Sequence, residues 1–437
     1  MRKNGKFWAV LIVFSLTGQI AWVVENMYFN VFIYKMFRAS ASDIALMVTA
    51  SAVAATLTTV LMGALSDRIG KRKIFMCAGY IAWGISIIAF ALIRADVISA
   101  LFGAAVSAAS VGITLVIILD CVMTFFGSTA NDAAYNAWLT DSTDATNRGA
   151  AEGINSMMPL ISILAVFGGF MGFDLDKASS WTAIYCIIGG LVLAIGILGF
   201  FLVEEAPVRK PDSLSYFGTI LYGFRPDVIR KNTVLYLSMA AFIVFNISIQ
   251  IFMPYLIIYY EKTLEMPDYV MIMAPAILLA AAVTFFFGRW VDRFGFRKTV
   301  LPAVFMLLAG FLLLWLVPSV IHAEGMGMRI PVFIGSLLMM SGYLSGMAAF
   351  GTQLRNYTPE HMAGRFQGLR ILSQVLIPGI IGPQIGAWVL RDAPTITNSD
   401  GTESFLPGAE IFLAAGIVLL VLVAALSVRL LRTRKTP

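Results

Sequence analysis

Along the 437-residue chain, stretches of about twenty apolar residues alternate with short polar connections from one end to the other. A bilayer core of about 30 Å takes about 20 helical residues to cross, so each stretch reads as a spanning helix that satisfies its own backbone hydrogen bonds. The pattern places about twelve spans, at 7–34, 43–65, 74–94, 110–139, 150–172, 181–203, 233–260, 268–289, 299–318, 331–354, 365–390 and 409–431. The stretch DVISALFGAAVSAASVGITLVIILD ahead of the fourth is too long for one crossing and too short for two, which predicts a break near Gly103 or Gly112. The short alternating segments of a membrane β-barrel do not appear. Residues 7–34 are too long for a signal-peptide core and no small-residue cleavage pattern follows, so they read as a retained first span.

Composition agrees with this pattern. Hydrophobic residues make up 59% of the chain and charged ones 13%, with a mean hydropathy of +0.84, against about 25% charged in soluble domains. The net charge of +6 is a topology signal, because the basic residues gather at span ends. They precede the first span (Arg2, Lys3, Lys6), follow the second (DRIGKRK), the fourth (Arg148) and the sixth (Arg209, Lys210, Arg225, Arg230, Lys231), follow the eighth (DRFGFRK), flank the turn after the tenth (Arg355, Arg365) and end the chain. The alternate connections hold scattered basics such as Lys35, Arg94, Lys177 and Arg391. Both termini and the long middle loop are therefore expected in the cytoplasm, and the compact loops suit a bacterial inner-membrane protein.

Candidate chemistry narrows the reading further. Cys77, Cys121 and Cys186 lie in apolar runs at unrelated spacings, and His322 and His361 lie in loops, so neither a disulfide framework nor a metal site is expected. There is no phosphate-cradling Gly-Lys loop and no nucleophile beside a base. The expected partners are a small-molecule substrate and the lipid bilayer, with no cofactor, no nucleic acid and no enzymatic activity.

The middle loop EEAPVRKPDSLSYFGTILYGFRPDVIRKN is the one break in composition. It predicts a bundle at 1–203, a cytoplasmic linker at 204–232 and a second bundle at 233–437. The halves resemble each other: GALSDRIGKRK from Gly63 returns 225 residues later as GRWVDRFGFRK from Gly288. The same offset aligns VFIY (31–34) with LIIY (256–259) and sets Glu25 opposite Gln250, while RGAAEG (148–153) pairs with AGRFQG (363–368). Parallel repeats of this kind build two bundles around an axis along the membrane normal, with the substrate path between them. Each chain then contains both halves of its own pathway, and a monomer is expected.

The motif Gly63-x-x-x-Asp67-Arg68-x-Gly70-x-Arg72-Lys73, with its copy at Gly288, Asp292, Arg293, Gly295, Arg297 and Lys298, resembles the loop signature of the major facilitator superfamily. The resemblance covers the whole chain and implies an all-α membrane fold of twelve transmembrane helices in two six-helix bundles related by a pseudo-twofold along the membrane normal. It also implies that the signature residues latch one state of an alternating-access cycle by bridging to span-end acids, Asp141 above all, with Arg148 in the same set. A narrower resemblance lies in NDAAYNAWLTDSTDATNR, where Asp132, Tyr135, Ala137, Thr143, Asp144 and Arg148 are similar to the fourth-helix signature of the glycoside-pentoside-hexuronide cation symporters. That family's matching aspartate binds sugar hydroxyls. Its sodium-using members carry aspartates in the second helix, whereas this second span has no acid between Asp43 and Asp67. A proton is the better-fitting coupling ion, with sodium still open.

Polar residues at membrane depth mark the candidate site, since each is expensive there. On the first span Gln19, Trp22, Asn26 and Asn30 form one helical stripe with Glu25 at its shoulder, and Asn246 and Gln250 repeat the arrangement on the seventh. Ser128, Asp132, Tyr135 and Asn136 share a face of the fourth span, and helical counting points Asp120 about 120° away, outside that site. The residues expected to meet substrate or proton are Trp22, Glu25, Asn26, Asn30, Asp132, Tyr135, Asn246 and Gln250. The leading expectation is proton-coupled symport of a small polar solute such as a sugar. The alternative is a proton-driven efflux antiporter for amphipathic drugs or lipids; exporters of the superfamily it resembles often carry a glycine- and proline-rich fifth span, and INSMMPLISILAVFGGFMGF, with a lone proline and a late glycine cluster, disfavours that reading.

Overall fold

The computed structural model describes residues 5–103, 107–144, 147–205, 222–320, 325–358, 369–398 and 401–433. Most of the middle loop, His322, His361 and the AGRFQG copy lie outside them. Among the described residues twelve helices are long and apolar enough to cross a membrane. Spans 1 to 6 are Gly5–Phe37, Ala41–Ile69, Arg72–Leu92, Ala108–Asp141, Arg148–Phe170 and Ala178–Leu202. Spans 7 to 12 are Thr233–Thr263, Val270–Phe294, Phe296–Pro318, Met326–Tyr357, Leu369–Val389 and Glu410–Ser427. The chain is all-α in class and forms two compact units, Met1–Ile220 and Leu221–Pro437, with six spans in each.

Local sequence explains where the helices start and stop. Ser40 opens span 2 with a capping box: its hydroxyl accepts from the Asp43 N–H at 3.2 Å and the Asp43 carboxylate accepts from the Ser40 N–H at 2.8 Å. Gly70 and Gly295, the second glycines of the two signature copies, adopt φ of +72° and +75°, a conformation that L side chains rarely hold. The break before span 4 falls at Gly103, with φ +80°, after a short helix at Ala95–Phe102.

Small residues set the close contacts within each unit. In unit 1, span 3 meets span 6 at Gly84, Gly189 and Gly196. In unit 2, span 9 meets span 10 at Gly310 and Gly342, and span 7 meets span 11 at Gly382 and Gly386. Between spans 11 and 12 a two-stranded antiparallel hairpin pairs β1 (Thr395–Thr397) with β2 (Glu403–Phe405), Thr395 opposite Phe405. Three-residue strands carry no readable alternation, which is why this connection reads as plain loop in the sequence.

Among the described residues four spans contain a wide turn in which N–H groups reach back five residues instead of four. The segments are Val24–Tyr28, Ser128–Tyr135, Tyr259–Thr263 and Leu372–Leu376. The first holds Glu25 and the second holds Asp132.

Candidate functional site

A wide turn leaves a carbonyl without its usual helical partner, and asparagine supplies the missing donor. The Phe29 N–H reaches back to the Val24 carbonyl. Asn26 Nδ2 donates to the Trp22 carbonyl at 2.8 Å and Asn30 Nδ2 to the Asn26 carbonyl at 3.0 Å. Two members of the polar stripe on span 1 thus support the turn that aims Glu25. Asn26 is exposed and Asn30 buried.

Glu25 is 7% exposed and reaches hydroxyls on two other spans. Its Oε1 accepts from Ser51 of span 2 at 2.7 Å and from Thr124 of span 4 at 2.9 Å, and the two hydroxyls lie 2.9 Å apart. Ser51 also stands against Asp120, one turn before Thr124 and 2% exposed. Glu25 Oε2 and Asp120 Oδ1 are buried with no hydrogen-bond partner.

Asp132 is half-buried. Its carboxylate accepts from Ser128 at 3.1 Å and from Asn131 at 3.4 Å, with the Trp22 indole beside it. Trp22 packs on Trp83 at 5.0 Å between ring centroids. Asp120, Thr124, Ser128 and Asp132 form a row at every fourth residue, and both acids act electrostatically on Glu25. Asp120 and Thr124 both stand on the regular helix Ala108–Gly127, so Asp120 meets Glu25 one turn from Thr124 and twelve residues ahead of Asp132. A wide turn winds through a smaller angle per residue, so the count that assumed a regular helix placed Asp132 too far round.

Tyr135 and its neighbours tie the spans together. The Tyr135 hydroxyl lies 3.2 Å from the Leu11 carbonyl and 3.0 Å from Asn155 Oδ1, which also accepts from Ser15 at 2.6 Å. The Tyr80 hydroxyl lies 2.7 Å from the Phe14 carbonyl and 3.0 Å from Asn131 Oδ1. A Cβ at Gly18 would meet both groups, Asn131 Oδ1 at 2.5 Å and the Tyr80 oxygen at 2.6 Å, so a side chain there would displace the Tyr80–Asn131 pair. In unit 2 Asn246 is buried and donates to the Phe242 carbonyl at 2.9 Å, while half-buried Gln250 packs its Cβ against Gly382.

The first signature copy is closed by charge. Arg72 is 4% exposed. Its Nε donates to Asp141 at 3.0 Å, its Nη1 to Ser66 at 2.6 Å, and its Nη2 pairs with Asp67. Glu205 accepts from the Arg72 and Lys73 backbone N–H groups at 2.6 and 3.1 Å, a carboxylate at the positive end of span 3. Arg148 Nη2 lies 3.2 Å from the Thr143 carbonyl, where span 4 ends. Gly63 is half-buried and Arg68 exposed. In the second copy Gly288 is half-buried and Asp292, Arg293 and Arg297 are exposed. Among the described residues none of these three enters an ion pair, and Arg293 lies over the Phe294 ring at 5.2 Å.

A family model described as the Major Facilitator Superfamily matches residues 7–383. The chain belongs to this superfamily. No curated protein matches the sequence. Solved structures of the superfamily fold do align with it. The nucleoside transporter NupG, as a point mutant, aligns at a TM-score of 0.71 with 12% identity, over 97% of this chain and 99% of that one. The xylose transporter XylE from E. coli, in a partially occluded inward-open conformation, aligns at 0.68 with 12% identity, over 99% and 98%. A bacterial homologue of the human lysosomal transporter Spinster aligns at 0.64 with 16% identity, over 99% and 98%. At these identities the likeness is one of fold.

As a superfamily member the chain is a multi-pass membrane transporter. Ser51, Thr124, Asn131, Asn155 and Tyr80 were not legible as part of its polar core, because hydroxyls, amides and tyrosines in apolar runs are common and only the fold shows which of them meet a carboxylate.

Proposed function

We propose that this transporter works by proton-coupled symport, carrying a small polar solute such as a sugar or glycoside by alternating access. The observation that carries this reading is Glu25, a carboxylate enclosed by three spans with one oxygen lacking a partner. A carboxylate at membrane depth costs about 2.5–3.5 kcal/mol on insertion scales. An amide at the same place would hold the spans as well, so the acid is kept for what an amide cannot do, which is to gain and lose a proton. A neutral acid passes through the closed, dry state of the cycle more readily than a carboxylate. Asp132 offers acceptor oxygens, and Trp22 beside it an indole N–H and a ring, of the kind that meet a solute's hydroxyls and its C–H face. The Asp67–Arg72–Asp141 network is the latch at one end of unit 1. Both termini face the cytoplasm of a bacterial cell and the working unit is a monomer.

The test is uptake into liposomes of a radiolabelled sugar, chosen by thermal-shift screening of purified protein against sugars and cationic dyes. An imposed inward proton gradient is expected to drive accumulation, and Glu25→Gln to reduce it by at least about tenfold. Uptake that ignores collapse of the gradient, or that survives both Glu25→Gln and Asp132→Asn, removes this reading; a response to cationic dyes alone supports export instead.

A further inference from the structure

Hydrogen-bond counting around Glu25 leaves a deficit. The two carboxyl groups of Glu25 and Asp120 present four oxygens, and the two hydroxyls between them, Ser51 and Thr124, carry one hydrogen each. Both hydroxyls lie within hydrogen-bond distance of the same atom, Glu25 Oε1, and the one hydrogen on Ser51 also has Asp120 beside it. Glu25 Oε2 and Asp120 Oδ1 stay buried without any partner, on side chains that are themselves more than nine-tenths buried. Charge is unbalanced as well. The charged groups acting on Glu25 are Asp120 and Asp132, both acidic. The other titratable groups in range of the two acids are Cys121 on span 4 and Tyr185 on span 6, and neither supplies a positive charge. Span 2 contributes the Ser51 hydroxyl, and Lys35, farther along span 1, is held by Asp176 at 3.3 Å. Two adjacent buried carboxylates repel each other when both are ionised. One added proton answers both deficits, since it removes a charge and turns an acceptor oxygen into a donor.

We propose that Glu25 and Asp120 hold a single proton between them and act as one coupling site, with Ser51 as the hydroxyl that links the two carboxyl groups. This rests on the proton-coupled reading above and adds to it a second acid, from span 4. Loading forms one O–H bond on a carboxyl oxygen with a proton taken from water on the open side. Release breaks that bond and returns the proton to water on the other side. Because the two carboxyls stand on different spans, the shared proton also holds spans 1 and 4 together through Ser51 and Thr124, and its departure leaves two like charges that favour their separation.

Difference infrared spectroscopy on the purified full-length protein tests the pair, since a protonated carboxyl shows a C=O stretch that a carboxylate lacks. The proteins are wild type, Glu25→Gln, Asp120→Asn, the double variant and Asp120→Glu, which keeps the carboxyl if the amide variant fails to fold. Wild type is expected to show the protonated-acid band at neutral pH. Each single amide is expected to shift its pH dependence, the double variant to lose the amplitude of one acid, and Asp120→Glu to retain it. A wild-type pH dependence in Asp120→Asn overturns the pair. So does a band that sodium chloride removes at constant pH while potassium chloride does not, because the site is then a sodium site. Liposome uptake separates this failure from that of the transport reading. Proton-driven uptake left intact by Asp120→Asn removes the pair alone, whereas a pair that behaves as expected while no pH gradient drives uptake stands as a proton site and removes symport.

Discussion

At the scale of single residues, two glycines embedded in the same bundle have opposite surroundings. A Cβ on Gly84 of span 3 would meet the Leu193 backbone nitrogen at 2.5 Å and the Gly189 carbonyl oxygen at 2.6 Å, and backbone atoms cannot rotate aside. A Cβ on Gly190 of span 6 would meet nothing within 4 Å. Gly84→Ala is expected to destabilise unit 1 by about 1–3 kcal/mol through overpacking. Gly190→Ala is expected to be neutral, or to stabilise by up to about 1 kcal/mol through better helix propensity. Thermal unfolding in detergent reads both, and equal shifts would show that backbone approach does not limit span packing. The same contrast shows what the sequence makes legible. Glu25 and Asp132 stand out because a carboxylate in an apolar run is expensive. Gly84 and Gly190, by contrast, look alike until the neighbouring span is in place, and Ser51 is one hydroxyl among many on span 2.

At the scale of elements, the twelve spans were readable because lipid demands long apolar runs and the connections carry the charge. The wide turns at Val24–Tyr28 and Ser128–Tyr135 were not, since their sequences, VENMY and STANDAAY, have no marker beyond the asparagine and threonine side chains that back-bond to freed carbonyls. Counting through the second turn as regular helix puts Asp132 too far round from the row of Asp120 and Thr124. The signature loops show the same limit from another side. Their sequences are near-copies, yet Arg72 is buried among Asp67, Asp141 and Ser66 while Arg297 is exposed. Arg72→Gln is therefore expected to cost about 1.5–3 kcal/mol, the range for charge-assisted hydrogen bonds lost at a buried site. Arg297→Gln is expected to cost less than about 0.5 kcal/mol, as at an exposed position. Comparable melting-temperature losses for the two variants would show that the second copy is also latched by its arginine.

At the scale of the molecule, orientation turns on how many times the chain crosses between two loops. Lys71 follows span 2 and Asp392 follows span 11, so nine spans, 3 through 11, lie between them. An odd number of crossings puts the two residues on opposite sides. The uncertain element is the helix Ala95–Phe102, whose 8 residues rise only about 12 Å, well short of the roughly 30 Å core. Were it part of an extra crossing, the number would become even and both loops would share a side. The basic residues around Lys71 predict a cytoplasmic place for that loop. Both positions are exposed in the fold, so cysteines placed there are open to a membrane-impermeant maleimide wherever water reaches them. With the exposed native Cys186 replaced by serine, Asp392→Cys is expected to label in intact cells and Lys71→Cys only after permeabilisation. Labelling of both in intact cells would break the span count, and the reverse pattern would keep the count but invert the protein, exchanging the side on which the Arg72 network closes.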